Sequence, residues 1–411
     1  MKKKLVLTTM YIASLVVVGV INVDALTTPK HAPHMKKGTT MDHLYPVLFA
    51  NTLQNGLTSA TVRALGKETW RKRRTEKEMG SGGHLLVSRS TVYVITADQI
   101  TAVDATGKDL WNFKKWPNSS AVLFENVLYC QSYENKSRLA RISLEGGKTL
   151  KSDIVLPSTA DKEKMLFFAP LQKEFLACCQ LPPSQRLQNG KAVSFPPYYT
   201  VYKKPYDNWD FTWVAEGKES IILPILLVSD GKKLCIGTRQ SMTIFNSEST
   251  VNEPSPMGHF AYPMQEVKSA SADLKGTIYL VGVADKKEEL VACDDKGTIK
   301  WKWEGAGITG SAQPPVTGAE GEIIVLSDSK VCGVKNGTLA WEYSTGLLDP
   351  KYMTAASDGN VLIVADSFLF CCKAGKEVFT FDAGSSIIAP PVIDVEGSVY
   401  VLTPTEIIKV I

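Results

Sequence analysis

The sequence lacks most of the parts from which enzymes assemble a site. Its 411 residues contain five histidines and no Gly-x-Ser-x-Gly elbow, Walker loop or His-Glu-x-x-His helix. No cysteine precedes Cys130, so there is no lipobox, and no Cys-x-x-Cys spacing suggests structural zinc. An excess of one charge sign is also missing. The net charge is +4, and removing residues 1–25 takes a net +2 with Lys2, Lys3, Lys4 and Asp24. That balance gives no electrostatic case for nucleic acid. No helical stretches separate the strand signals, which excludes a parallel βαβ sheet.

What is present begins with an export signal. Lys2 to Lys4 form a basic start, Leu5 to Val20 an apolar run, and Val23-x-Ala25 a signal-peptidase site. Residues 1–25 are expected to be a signal peptide of a periplasmic or secreted protein, with membrane contact only if that signal stays uncleaved as an anchor. Residues 26–60 lack periodicity and are expected to be a linker or loosely ordered arm. Its His31, His34, Met35, Met41 and His43 are read as solvated, with no metal site.

From residue 61 to 411 one unit recurs. In Thr91 to Phe113 a strand, a turn, a strand, a turn and a third strand follow one another, with alternating apolar residues expected to be half-buried. A turn glycine precedes an aromatic by four residues at Gly107/Trp111, Gly297/Trp301, Gly337/Trp341 and Gly375/Phe379. A fixed spacing of this kind implies one supersecondary unit, repeated. Val92, Val127, Phe175, Leu234, Ile278, Ile323, Val361 and Val399 open the second strand of each unit, at intervals of 35 to 59 residues. The expected fold is all-β: an eight-bladed β-propeller of four-stranded antiparallel blades. The last unit stops at Ile411 without its Gly-x-x-x-Trp strand. Gly66-Lys67-Glu68-Thr69-Trp70 supplies one upstream, so the last blade is expected to be closed by an N-terminal strand.

The Ala-x-Asp-x-x-Gly-x-x-x-Trp pattern, best matched at Ala102 to Trp111 and Ala292 to Trp301, resembles the pyrroloquinoline-quinone (PQQ) type propeller repeat. The resemblance covers roughly residues 61–411. That family spans quinone dehydrogenases, the propeller lipoprotein of the barrel-assembly machinery and non-catalytic exported proteins. This chain is similar to the non-catalytic branch, without a lipobox. Quinone enzymes use a vicinal cysteine pair, calcium ligands and a tryptophan under the cofactor. Cys178-Cys179 and Cys371-Cys372 are vicinal, but both lie in strand-like FLACCQ and FLFCCK, and calcium ligands cannot be matched one by one. No catalytic residues, cofactor or metal are assigned.

Recognition residues are sought in the one long insertion, Leu181 to Trp213. Tyr198, Tyr199, Tyr202, Tyr206 and Trp209 crowd there, and Phe260 and Tyr262 follow in the next unit. Aromatic side chains on loops over a stiff scaffold suit partner binding. The expected function is an exported scaffold mediating protein–protein interaction in the cell envelope. The alternatives are a PQQ-dependent dehydrogenase and a carbohydrate-binding accessory protein. Most of the eight cysteines are expected to be free thiols in strands, and Arg71-Lys72-Arg73-Arg74 a solvated turn.

Overall fold

The computed structural model describes residues 57–58, 60–74, 83–117, 121–124, 127–134, 138–150, 154–155, 164–170, 174–181, 184–188, 191–195, 198–205, 213–217, 223, 225–228, 232–247, 255–273, 275–308, 313–347 and 349–411. The expected leader and arm, with their histidines, lie almost wholly outside them. Among the described residues there is no helix. The strands form seven four-stranded sheets, one five-stranded sheet and one two-stranded sheet.

The repeating unit is a meander. In the first sheet His84–Ser88, Thr91–Ile95, Gln99–Val103 and Asp109–Lys114 pair antiparallel in chain order. Six more sheets repeat that order over 121–155, 164–217, 226–261, 266–304, 316–344 and 352–382. Each of the eight residues expected to open a second strand lies in the second strand, in chain order, of its meander. The two-stranded sheet, Ser184–Gln188 with Lys191–Phe195, is a hairpin inserted between Glu174–Leu181 and Tyr198–Pro205.

The turns explain why the meander forms. Asp104 Oδ1 accepts hydrogen bonds from the amides of Thr106 (2.8 Å) and Lys108 (3.0 Å), and Gly107 N donates to Asp104 O at 3.0 Å. The loop closes because Gly107 takes φ +89°, a region costly for residues with a Cβ. Asp294 builds the same turn before the outermost strand of its sheet. Asp273 and Asp394 build it between the first two strands of theirs. A register shift between Ala102 and Val103 bends the ladder just before the outer strand. It recurs at Ala292/Cys293, Gly333/Val334 and Cys371/Cys372.

The strands are more buried than alternation suggested. Leu85, Leu86, Val92, Tyr93, Val94 and Ile95 are all at most 1% exposed. The reason is that this sheet packs on both faces. Leu85 joins a core cluster with Val399 and Leu402, while Leu86 joins another with Leu123 and Leu128. Continuous apolar runs follow when both faces are covered.

The final sheet is composite. Val392–Ile393, Val399–Leu402 and Glu406–Val410 are completed by Glu68–Arg73, which pairs antiparallel with Glu406–Val410. Lys67 and Ile411 exchange two backbone hydrogen bonds, both 2.8 Å. One feature went unread in the sequence. Leu57–Thr58 adds to Tyr352–Ala356 as the one parallel pairing among the described strands, making that sheet five-stranded. Ala60 O then accepts from Ser357 N (3.0 Å) and Oγ (3.1 Å), and Arg63 N donates to Gly397 O. Thr58 and Ala60, at 4% and 3% exposure, are therefore packed residues within the stretch drawn as an arm.

Candidate interaction surfaces

The repeated aromatics do structural work. A Cβ on Gly297 would lie 2.7 Å from Phe260 Cδ2, so only glycine lets the preceding sheet's aromatic lie against that turn. The same contact joins Trp70 to Gly107, Trp111 to Gly147, Trp301 to Gly337, Trp341 to Gly375 and Phe379 to Gly66. Two indoles also hydrogen-bond the neighbouring turn, Trp70 Nε1 to Ala105 O (2.8 Å) and Trp111 Nε1 to Leu144 O (3.0 Å). Among the described residues these six contacts link seven sheets in series, from 226–261 through the composite sheet to 121–155.

Basic residues near the N-terminal strand are consumed the same way. Arg71 donates to Glu68 (2.8 Å), Glu406 (2.7 Å) and Ala383 O (3.0 Å), and Lys72 bridges to Asp109 of the first sheet at 3.1 Å. Arg74, expected in a solvated turn, is 2% exposed and its guanidinium donates to Thr403 O and Pro404 O, both at 3.0 Å. The turn reading fails because this run is an edge strand whose end folds over the final sheet.

The final sheet holds a buried group that the motif search missed. Lys409 stands where Ala102 and Ala292 stand, opposite the sheet's tryptophan. Its ammonium is 3.7 Å from Asp394 Oδ2 and 5.4 Å from the Tyr400 ring centre. Tyr400 donates to the same carboxylate at 2.9 Å, as Tyr279 donates to Asp273 at 2.7 Å. The signal was in the sequence: Asp, glycine three residues on and tyrosine six on occur at both 273–279 and 394–400.

His84 is 1% exposed, and neither ring nitrogen has a hydrogen-bond partner. Burial, with the Lys115 charge nearby, pushes its pKa down to about 3, so the ring is neutral at physiological pH. Lys115 is fully buried and its Nζ donates to Ala97 O at 2.8 Å.

The expected recognition residues divide into three groups. Tyr198, Tyr199 and Tyr202 fall in Tyr198–Pro205, the third strand of its sheet, where a loop had been drawn; the true insertion is the hairpin before it. Tyr206 and Trp209 lie outside the described residues. Phe260 and Tyr262 are packed, not presented. Phe260 (7% exposed) covers Gly297, and Tyr262 (9%) donates to Thr238 O at 3.1 Å. A hydrophobic surface reading missed them because an aromatic that fills an inter-sheet seam looks the same in sequence as one on a loop.

Cysteine chemistry is also internal. Cys130, Cys235, Cys293, Cys332, Cys371 and Cys372 are buried thiols outside any disulfide. Burial pushes the thiols of Cys235, Cys293 and Cys372 up to about 12, far from the thiolate that reacts. Cys371 and Cys372 belong to different core clusters, on opposite faces of one sheet. Among the described residues no group of histidine, cysteine or carboxylate side chains could hold a metal. No described helix is long and apolar enough to cross a membrane.

This arrangement, a succession of four-stranded antiparallel meanders docked through turn glycines, is a β-propeller fold. No family model and no curated protein matches the sequence. Solved structures do. The chain is similar to BamB from Moraxella catarrhalis, with a TM-score of 0.54 and 10% identity over 84% of this chain and 97% of that one. It is similar also to the quinohemoprotein alcohol dehydrogenase from Comamonas testosteroni, with a TM-score of 0.51 and 10% identity over 90% of this chain and 81% of that one. At such identity the likeness is one of fold.

Proposed function

We propose that the protein is an exported eight-bladed propeller that serves as a non-catalytic, protein-binding scaffold in the cell envelope. In this reading the sheets form one ring, closed by Glu68–Arg73 as the outer strand of the last blade. The observation that carries it is the chain of turn contacts: Phe379 meets Gly66, and Trp70 meets Gly107, so the seam between C- and N-terminal segments uses the contact found within the chain. A further support is that the signature aromatics and the described thiols are spent on packing. What is left for recognition is turns and inserted segments on a stiff frame, the usual place for it.

The expected recognition patch is carried by Tyr198, Tyr199, Tyr202, Tyr206 and Trp209, beside the inserted hairpin; Phe260 and Tyr262 are not part of it. Affinity capture from an envelope extract tests this. Replacing Tyr199, Tyr202 and Trp209 together with alanine should weaken capture by about 2 kcal/mol or more. Unchanged capture moves the site elsewhere. A redox-dye assay with quinone and calcium should give no turnover, and glycan binding should be absent; a positive result in either replaces the scaffold reading.

A further inference from the structure

Exposed large aliphatic side chains are not scattered over this molecule. Leu110, Ile299, Leu339 and Val378 each lie two or three residues after a turn glycine, at the start of an outer strand, and are 41–50% exposed. Leu65 (71%) and Ile411 (47%) mark the same end of the composite sheet, and Met257 (59%) precedes the outer strand Gly258–Ala261. Among the described residues only Tyr133 breaks the pattern, in the turn between the second and third strands of its sheet. Because neighbouring turns touch through the glycine–aromatic contacts, these side chains form a belt along one end of six consecutive sheets, from 226–261 through the composite sheet to 84–114.

The same turns carry lysines. Lys67, Lys108, Lys148, Lys296, Lys335 and Lys376 lie within two residues of the turn glycines and are exposed, with no hydrogen bond or ion pair to their ammonium groups. The carboxylates there are mostly engaged. Asp104 and Asp294 hold their own turns, Asp295 pairs with Lys233, Asp109 with Lys72, Glu68 with Arg71, and Glu377 accepts from Tyr343. Glu145 is left unpaired. On the inner turns at this end Arg89, Lys232 and Lys275 stand with Asp273, Glu320, Glu322, Asp358 and Glu396. The outer-turn groups named above, with their partners, are nine cations and seven carboxylates, so the belt offers exposed ammonium groups in modest excess beside aliphatic knobs.

We infer that this end of the ring docks on an anionic lipid surface. Residues at equivalent places in a rotational repeat share a plane, and a bilayer is a planar partner. Knobs on six of the sheets, separated by blade widths, make no groove for a protein ligand. Free lysines also repel a second copy of the same face. Lysines near an anionic bilayer add to the insertion of short apolar side chains, and salt weakens the charge component. The inference uses the ring arrangement but not the protein-capture reading, which a negative vesicle result leaves untouched.

Co-sedimentation of the full chain with vesicles tests it. Phosphatidylcholine vesicles containing phosphatidylglycerol should pellet the protein, pure phosphatidylcholine vesicles much less, and high salt should release it. The variants Leu110→Ser/Ile299→Ser/Leu339→Ser/Val378→Ser and Lys108→Glu/Lys296→Glu/Lys376→Glu should each weaken anionic-vesicle binding about tenfold or more. Melting curves of both variants check that exposed positions left the fold intact. The inference is overturned if the parent ignores anionic vesicles, or if both folded variants bind like the parent. Retention on polyglutamate beads with no vesicle binding would reassign the belt to an acidic protein.

Discussion

The sheet at 266–304 and the composite sheet are built from the same parts and held differently. Both have an Asp-x-x-Gly turn, a tyrosine clasped to that aspartate and a tryptophan on the outer strand. In the contiguous sheet a small Ala292 faces Trp301, and the outer strand follows its neighbour through a five-residue turn. In the composite sheet Lys409 faces Trp70, buried against Asp394, and the outer strand comes from the far end of the chain. Turn geometry sets register where strands are consecutive. Where they are not, no turn sets it, and side chains of the incoming strand do instead: Arg71 reaches Glu406, and Arg74 reaches the carbonyls of Thr403 and Pro404. A slipped strand loses these bonds and leaves a buried guanidinium misplaced, which is costly.

The largest expected effect follows from that difference. Deleting residues 1–76 removes the closing strand and should abolish cooperative melting, whereas deleting 1–56 should leave the melting temperature nearly unchanged. Equal melting of the two truncations would mean that the N-terminal strand does not hold the final sheet together. Next, Lys409→Ala strands the Asp394 carboxylate and should cost about 3–5 kcal/mol in denaturant unfolding. Adding Asp394→Ala should recover part of that loss; no recovery would show that Lys409 acts through packing alone.

Trp70→Ala and Trp301→Ala should each cost about 3 kcal/mol, since each opens an equivalent seam between two sheets. A much larger loss at Trp70 would mean that the composite seam is the weaker one. A pH effect tests the junction beside it, where a Cβ on Gly83 would come within 3.5 Å of Arg74. His84 is depressed from 6.5 to about 3. Its contribution is complete above about pH 6.5 and is lost as pH falls toward 3, because the unfolded chain takes a proton that the buried ring refuses. Stability should fall by about 2 kcal/mol between pH 6.5 and pH 5 from this group. In His84→Leu that part of the slope should vanish; an unchanged pH profile would contradict it. The smallest effect is local: Asp294→Ala and Asp104→Ala should each cost about 1 kcal/mol, through lost bonds to turn amides.

Much of this was legible in the residues. The Gly107/Trp111 spacing, the second strands from Val92 to Val399 and the outer strand around Trp70 could be read because each depends on a few neighbouring residues. The recognition residues were less legible. Tyr198, Tyr199 and Tyr202 read as a loop because proline and aromatic density suggested one, yet their backbone continues a ladder. Phe260 and Tyr262 read as surface because nothing in a sequence marks which neighbour fills a seam.

The sequence by itself determined the unit: turn aspartates and glycines choose the chain reversals, and apolar runs choose strands. The tertiary structure alone decided what faces what. It buried both faces of the first sheet, turned a basic run into an edge strand, recruited Leu57–Thr58 as a parallel fifth strand, and brought Lys409 to Asp394. Those outcomes depend on contacts between residues in different turns, sheets or ends of the chain, Leu57 with Ala355 and Trp70 with Lys409 among them. Local propensity carries no term for such contacts; packing and the cost of unpaired buried groups do.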